Sequence, residues 1–350
     1  MVASFSYVRA LTAPGYATFA DKTSAWLRDH HAGPVVNRIE NWYYTRKAPS
    51  TKAPSAHQFS IGGTGPTVAL SLPQLPIPIG ASTHPAWRPG RTDTAGNPVD
   101  YTSTFEPDLS HPSVIAGIAV ISAGAAIAHL VGGTSQPGPT TSPAARVPTS
   151  DVPDLIAIFN SGFRLKDITG GFYENGHEYK ALQPGQASVV IDDHGRLTVG
   201  QWGRDAVMSP HVAAVRQNLG LIVDNGAPLP KAGFVGAGWG GSHLQYQYTW
   251  RSGLGIDQAG NIIYVAGDQL NLATLADALA QAGAVRGMEL DMHTGMSLFT
   301  SWTRSSAGSF GPVKLLPTMN SPDSRYLMPD RRDFFYLTLA GTQGISTSRR

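Results

Sequence analysis

Glu289 and Asp291 are the residues of this chain whose type and spacing point most directly to chemistry. They lie in Gly287-Met288-Glu289-Leu290-Asp291, an apolar segment with the pattern of a strand. Side chains alternate along a strand, so residues two apart share a face. Two carboxylates are therefore expected on one side of an otherwise apolar surface. Like charges so close raise at least one pKa, which suits general acid–base work. The competing structural reading pairs Glu289 with an arginine and makes Asp291 a turn cap.

Other candidates flank strands. Asn160-Ser161-Gly162-Phe163 follows the apolar run Leu155–Phe159. Gly162 permits a sharp bend there, Asn160 could bond a sugar or phosphate oxygen, and Lys166 could supply a cation. Arg251, in Trp250-Arg251-Ser252, offers a planar fork that matches phosphate or carboxylate. Arg216 lies at the end of a segment read as helical, where a cation can simply complement the helix dipole. The chain has 11 histidines, and none has HExxH spacing. His194 and His211 read as exposed loop residues. His293, two residues after Asp291, and His243, in a glycine-rich loop, are the two that could reach a pocket.

Several elements must position these residues. Ala187–Ile191 and Arg196–Trp202 read as strands, Val207–Leu219 as a helix, and Leu221–Val223 as a strand ending in the turn Asp224-Asn225-Gly226. Gly253–Asp257 and Asn261–Val265 read as a hairpin. Asp192 and Asp257 each follow an apolar residue and precede a glycine three residues on, so both read as turn residues. Leu272, Leu275, Ala276 and Leu279 have helical spacing, with Asn271 as cap and Gly283 as stop. This helix precedes the Glu289–Asp291 strand and puts the acids at a strand's carboxyl end, a common place for active sites.

The first half of the chain is less regular. Residues 21–28 and 35–44 have helical apolar stripes that should pack on something. Residues 46–57 read as a linker and Thr67–Leu72 as a strand. Residues 114–131 form an uncharged apolar run at the lower limit for a membrane span. Their Gly/Ala content favours a hairpin of two buried strands joined at Ser122-Ala123-Gly124. The fold expected is α+β: a mixed, twisted sheet core with flanking helices and a β-rich N-terminal portion. The expected division is a helical segment and linker over 1–57, a β-rich subdomain over 58–148, and a catalytic domain over 149–350.

Composition narrows the function. The 350 residues are 41% hydrophobic and only 14% charged, with 39 Gly and 26 Pro, which favours β structure and turns over a helical bundle. The net charge of +2 is too small to imply nucleic-acid binding, and the pairs Arg331-Arg332 and Arg349-Arg350 read as solvated. The absence of cysteine removes disulfides and thiolate sites.

The order of motifs FNSGF (159–163), SVVIDDHGRLTVGQWG (188–203), RQNLGLIVDNGAP (216–228), WRSGLGID (250–257) and MELDMHTGMSLF (288–299) resembles the phosphodiester glycosidase family. Residues 26–44 and the stretch ending GGTSQPG resemble actinobacterial members that carry a membrane anchor. The resemblance implies an extracytoplasmic, trimmed ectodomain that meets a membrane only through that anchor. It carries over Asp291, Asn160, Gly162, Phe163 and Arg251 by position, with Glu289 and His293 beside them. The chain departs from the family where Met292-His293-Thr294-Gly295 replaces a common Gly-Gly-Gly-Ser run.

The reaction implied is hydrolysis of a sugar-1-phosphodiester, with a cell-wall or surface glycan as partner. Asp291 would be nucleophile or base, Glu289 a second or tuning carboxylate, and Arg251 with Lys166 the cations for phosphate. Asn160, Asn218, Arg216, His293 and His243 would meet substrate. No cofactor is expected. A divalent cation held by Asp291, Glu289 and His293 stays open. The alternatives are a glycoside hydrolase or transglycosylase acting without phosphate, and a silent glycan-binding protein.

Overall fold

Beneath the candidate site lies a cluster of aromatic rings that draws two sheets together. Phe159 stacks on Phe299 and Phe335 with ring centres 5.9 and 5.5 Å apart, and Tyr264 lies 4.9 Å from Phe299. All four are buried. The computed structural model describes residues 2–13, 16–54, 59, 70–138, 144–230, 239, 247–305 and 308–341.

Four helices and eighteen strands are formed among these residues. The first sheet runs β1 (Arg88–Pro89), β2 (Asp100–Phe105), β3 (Ala116–Ile121), β14 (Ile262–Leu270), β13 (Thr249–Ile256), β15 (Arg286–Met292), β11 (Leu221–Asp224), β12 (Ala227–Pro228). The second runs β7 (His177–Lys180), β6 (Phe172–Glu174), β10 (Val212–Gln217), β8 (Ala187–Asp192), β9 (Leu197–Gln201). The third runs β17 (Phe310–Lys314), β16 (Phe299–Arg304), β5 (Leu155–Asn160), β18 (Phe334–Leu339), β4 (Ala126–Val131). The fold is β-rich α+β. Every ladder between these strands is antiparallel, so the expected mixed sheet is not observed. Hairpins and long returns, rather than βαβ crossovers, connect the strands, and such connections favour antiparallel pairing.

Two expected elements change. Val207–Leu219 is not a helix: Ser209-Pro210 makes a turn, and Val212–Gln217 is a strand held by β8 on one side and β6 on the other. Two waiting ladders override the weak helical preference of Val-Ala-Ala-Val. Residues 114–131 do form two buried strands joined at Ser122–Gly124, but not a hairpin. β3 pairs with β2 and β14, while β4 pairs with β18 in another sheet. Strands of residues 100–131 thus share ladders with strands of residues 155–339.

The turn readings hold. Asp192 Oδ1 accepts from the amides of His194 and Arg196, and Asp257 Oδ1 accepts from Asn261. α4 (Leu272–Gln281) is capped by Asn271, whose side chain accepts from Thr274 N, and stops at Gly283 with φ 88°. Of Thr67–Leu72, residues 67–69 lie outside the described residues, and 70–72 are not in a strand.

The chain begins with α1 (Val2–Thr12), α2 (Phe19–Asp29) and α3 (Gly33–Thr45). Thr18 and Asp21 form a reciprocal capping box on α2, and Pro34 opens α3. The stripe of α3 packs only in part: Val36 is buried, while Val35, Ile39 and Trp42 are exposed. No described helix is long and apolar enough to cross a membrane.

Candidate active site at the meeting of three sheets

Asp291 stands at the end of β15, where the ends of β5, β10 and β18 also arrive. Opposite it, the β13–β15 register shifts between Arg251↔Met292 and Gly253↔Glu289. A β-bulge of this kind breaks strict alternation and re-aims a side chain. The two acids accordingly take different partners, and the expectation that they act side by side is not met.

The Asp291 carboxylate accepts from Arg332 Nη2 at 2.7 Å and from its neighbour's amide, Met292 N, at 2.8 Å. Ser252 Oγ donates to the Asp291 carbonyl at 3.0 Å and fixes the backbone. Burial pushes the Asp291 pKa up to about 6, against the pull of Arg332. The group therefore titrates near neutrality while staying next to a cation.

Glu289 is fully buried and pairs with the fully buried Arg251. Arg251 also donates to the carbonyls of Leu270 at 3.1 Å and Gln247 at 3.3 Å. Burial raises the Glu289 pKa and Arg251 opposes it. This pair ties β13 to β15 from within and does not converge on Asp291.

The amide of Asn160 is filled on every side. It donates to Ser161 O at 2.8 Å and Ser252 Oγ at 3.0 Å, and accepts from Tyr264 Oη at 2.9 Å and Leu298 N at 3.0 Å. Asn218 is similar: it donates to the carbonyls of Glu289 and Leu290, both at 2.8 Å, and accepts from Phe163 N at 3.2 Å. A Cβ on Gly162 would lie 2.8 Å from Asn218 Oδ1, so only glycine fits there. Both asparagines hold the backbone around Asp291.

Arg216 is not at a helix end. It emerges from β10 and pairs with Asp333 at 2.6 Å, with both side chains buried, and it donates to the carbonyls of Gln217 and Phe163. Lys166 points to the N-terminal segment and pairs with Asp29 at the end of α2. His293 has φ 78°, its ring lies 5.4 Å from that of Tyr44, and burial pushes its pKa down to about 3. His243 lies outside the described residues.

Asp291, Glu289 and His293 do not gather as a cation site. Among the described residues, three acid or histidine ligand atoms come within 4.8 Å of one another only at Asp192, Asp193 and His194, in the β8–β9 turn. His194 and His211 are exposed, as expected.

The residue that sequence reasoning missed is Arg332, dismissed with Arg331 as a solvated pair. Its Nη2 serves Asp291 and also the carbonyl of Gly162 at 2.8 Å. Its Nε is buried without a hydrogen-bond partner. The loop that carries it is held by Thr134 N on Asp330 O at 3.0 Å and Ser135 N on Arg331 O at 3.1 Å. Gly133 makes that seat possible, since a Cβ there would come within 2.4 Å of the Arg332 carbonyl carbon. The available signal was two arginines bracketed by Asp330 and Asp333 directly before an apolar strand.

Residues 154–292 match the phosphodiester glycosidase family. The match begins just before β5 and ends just after Asp291, so it holds Asn160, Gly162, Arg216, Asn218, Arg251, Glu289 and Asp291, and leaves out Arg332. No curated protein matches the chain. Among solved structures, the zebrafish N-acetylglucosamine-1-phosphodiester alpha-N-acetylglucosaminidase catalytic domain, auto-inhibited by its pro-peptide, aligns with a TM-score of 0.46 at 16% identity. That alignment covers 78% of this chain and 96% of that one. A hypothetical protein from Synechocystis aligns with a TM-score of 0.41 at 11% identity, covering 72% of this chain and 64% of that one. At these scores the likenesses are remote, and the family match carries the comparison.

Proposed function

We propose that the protein hydrolyses a sugar-1-phosphodiester at the anomeric carbon, with Asp291 as the reacting carboxylate and Arg332 as the cation that meets phosphate. Water adds to the anomeric carbon, the bond from that carbon to the phosphate oxygen breaks, and a free sugar and a phosphomonoester leave. The observation that carries this reading is the Asp291–Arg332 pair: a buried carboxylate with a pKa near 6 held by a guanidinium whose side chain stays 17% exposed. A phosphate oxygen arriving at the exposed part of that guanidinium would meet a cation beside the carboxylate that the same arginine orients.

Of the three acid–arginine pairs here, Asp291–Arg332 is the one that reaches the surface, its side chains 9% and 17% exposed. Glu289 is bound to Arg251 and Asp333 to Arg216, both in full burial. A phosphodiester suits such a site because phosphate departs without a strong general acid, whereas ordinary glycoside hydrolysis uses two carboxylates. The substrate class proposed is a cell-wall or surface glycan bearing an amino-sugar 1-phosphate link, and an extracytoplasmic location is proposed with it.

A substrate panel tests the reading. Turnover of sugar-1-phosphodiesters, with simple glycosides inert, is the expected outcome. Turnover of simple glycosides with phosphodiesters inert would replace it with phosphate-independent glycoside hydrolysis.

A further inference from the structure

We propose that the outward face of α3 is a docking surface for an anionic lipid bilayer. Val35, Ile39, Trp42 and Tyr43 recur at helical spacing and are 60%, 59%, 58% and 46% exposed. At 100° per residue they cover one continuous arc of the helix. Asn41 and Tyr44, on the opposite arc, pack inward, and Val36 is buried at the edge of the stripe. The stripe is local to the start of the chain. Eight of the fifteen exposed large apolar side chains among the described residues fall in residues 1–45, including Phe5 and Val8 on α1 and Phe19 on α2.

Charge selects the partner. Arg38 borders the stripe, and Arg46 and Lys47 close its C-terminal end. Arg46 lies over the Trp42 ring at 4.8 Å, and Lys47 over the Tyr43 ring at 4.0 Å. The only acid of α3, Glu40, is turned away onto Arg28. Residues 1–57 hold seven Lys or Arg against three Asp or Glu, while the rest of the chain holds 19 against 21. An apolar stripe with Trp and Tyr, bordered by cations and free of acid, suits a helix lying in the plane of an anionic interface.

The same helix leads to the candidate site. On its inner arc, Tyr44 touches the His293 ring, and its carbonyl accepts from Tyr248 N at 3.3 Å. Docking α3 on a bilayer would therefore hold the rim of the site at the lipid surface. The docking itself does not depend on which reaction is catalysed, since it is measured without substrate.

The test is co-sedimentation of the whole chain with phosphatidylglycerol-rich vesicles, compared with pure phosphatidylcholine vesicles. The wild type is expected to sediment with the first and to be released by salt. The double variant Ile39→Ser/Trp42→Ser should lower the partition ten-fold or more, and Arg38→Gln/Arg46→Gln/Lys47→Gln should do the same. Each basic residue near an anionic surface is worth about five-fold. The control Val207→Ser/Met208→Ser, exposed elsewhere, should bind as wild type does. Circular dichroism checks that all variants are folded. Absence of binding at low salt, or binding unchanged by both variants, would overturn the proposal. A wild-type dimer that Ile39→Ser/Trp42→Ser converts to monomer would also overturn it, because a second copy would then cover the face.

Discussion

Asp291 combines burial with a cationic neighbour, and the two effects pull its pKa in opposite directions. Burial wins, and the value rises to about 6. If the carboxylate form reacts, kcat/KM should rise through an acid limb centred near pH 6 and level off above it. A profile flat from pH 5 to 8 would contradict that role. Arg332 lowers this pKa, so Arg332→Gln should move the limb to higher pH and cut kcat/KM by about 10–100-fold, the effect of losing a charged hydrogen bond. A merely structural role for Arg332 would leave the limb where it is. Asp291 was legible as a candidate because it closes an apolar strand, although Glu289 in that strand proves to be a structural partner of Arg251. Arg332 was not, because it meets Asp291 only through the fold, 41 residues away in sequence.

The elements that carry the site are fixed by a few backbone seats and one buried ion pair. Gly133→Ala would place a methyl carbon against the backbone of Arg331 and Arg332. We expect the loop to shift and kcat/KM to fall at least ten-fold with the rest of the fold intact by circular dichroism, and unchanged kinetics would show that the seat does not matter. The Arg251–Glu289 pair behaves as a strut. Breaking it with Glu289→Gln should cost roughly 3–5 kcal/mol in denaturant unfolding, while Arg251→Met/Glu289→Leu together should cost less. Equal or additive losses would contradict a coupled pair.

Elements with their own local chemistry were readable: Asp192 and Asp257 in their turns, Asn271 capping α4. β10 was not, because its ladders come from β6 and β8, and Val-Ala-Ala-Val alone does not announce them. The bulge that separates Glu289 from Asp291 likewise exists only in the pairing of β13 with β15.

At the scale of the molecule, the three sheets are joined by chain segments that leave one and enter another, as β3 and β4 do at Ser122–Gly124. Apolar runs could be found in the sequence, but which sheet each would join depends on partners more than a hundred residues away. One buried acid spans such a junction. Asp100 in β2 accepts from Ser301 Oγ of β16 at 2.6 Å and from Arg91 N. Burial pushes its pKa up to about 7. A carboxyl raised in the folded state binds more protons there than in the unfolded chain, whose value is near 3.9. The contribution of Asp100 to stability then declines as pH rises from about 4 through 7. The melting temperature should fall over that range, in part through Asp291 as well, and Asp100→Asn should make the fall shallower, above all between pH 6 and 7, and raise the value at pH 7. An unchanged slope in the variant would place the effect elsewhere.

The most direct test of the account is release of sugar and phosphomonoester from an amino-sugar 1-phosphodiester by the wild type and by Asp291→Asn. The account predicts turnover by the wild type and a loss of about a thousand-fold or more in the variant, with its fold preserved. Turnover retained in Asp291→Asn, or absent from the wild type across several sugars, would contradict it.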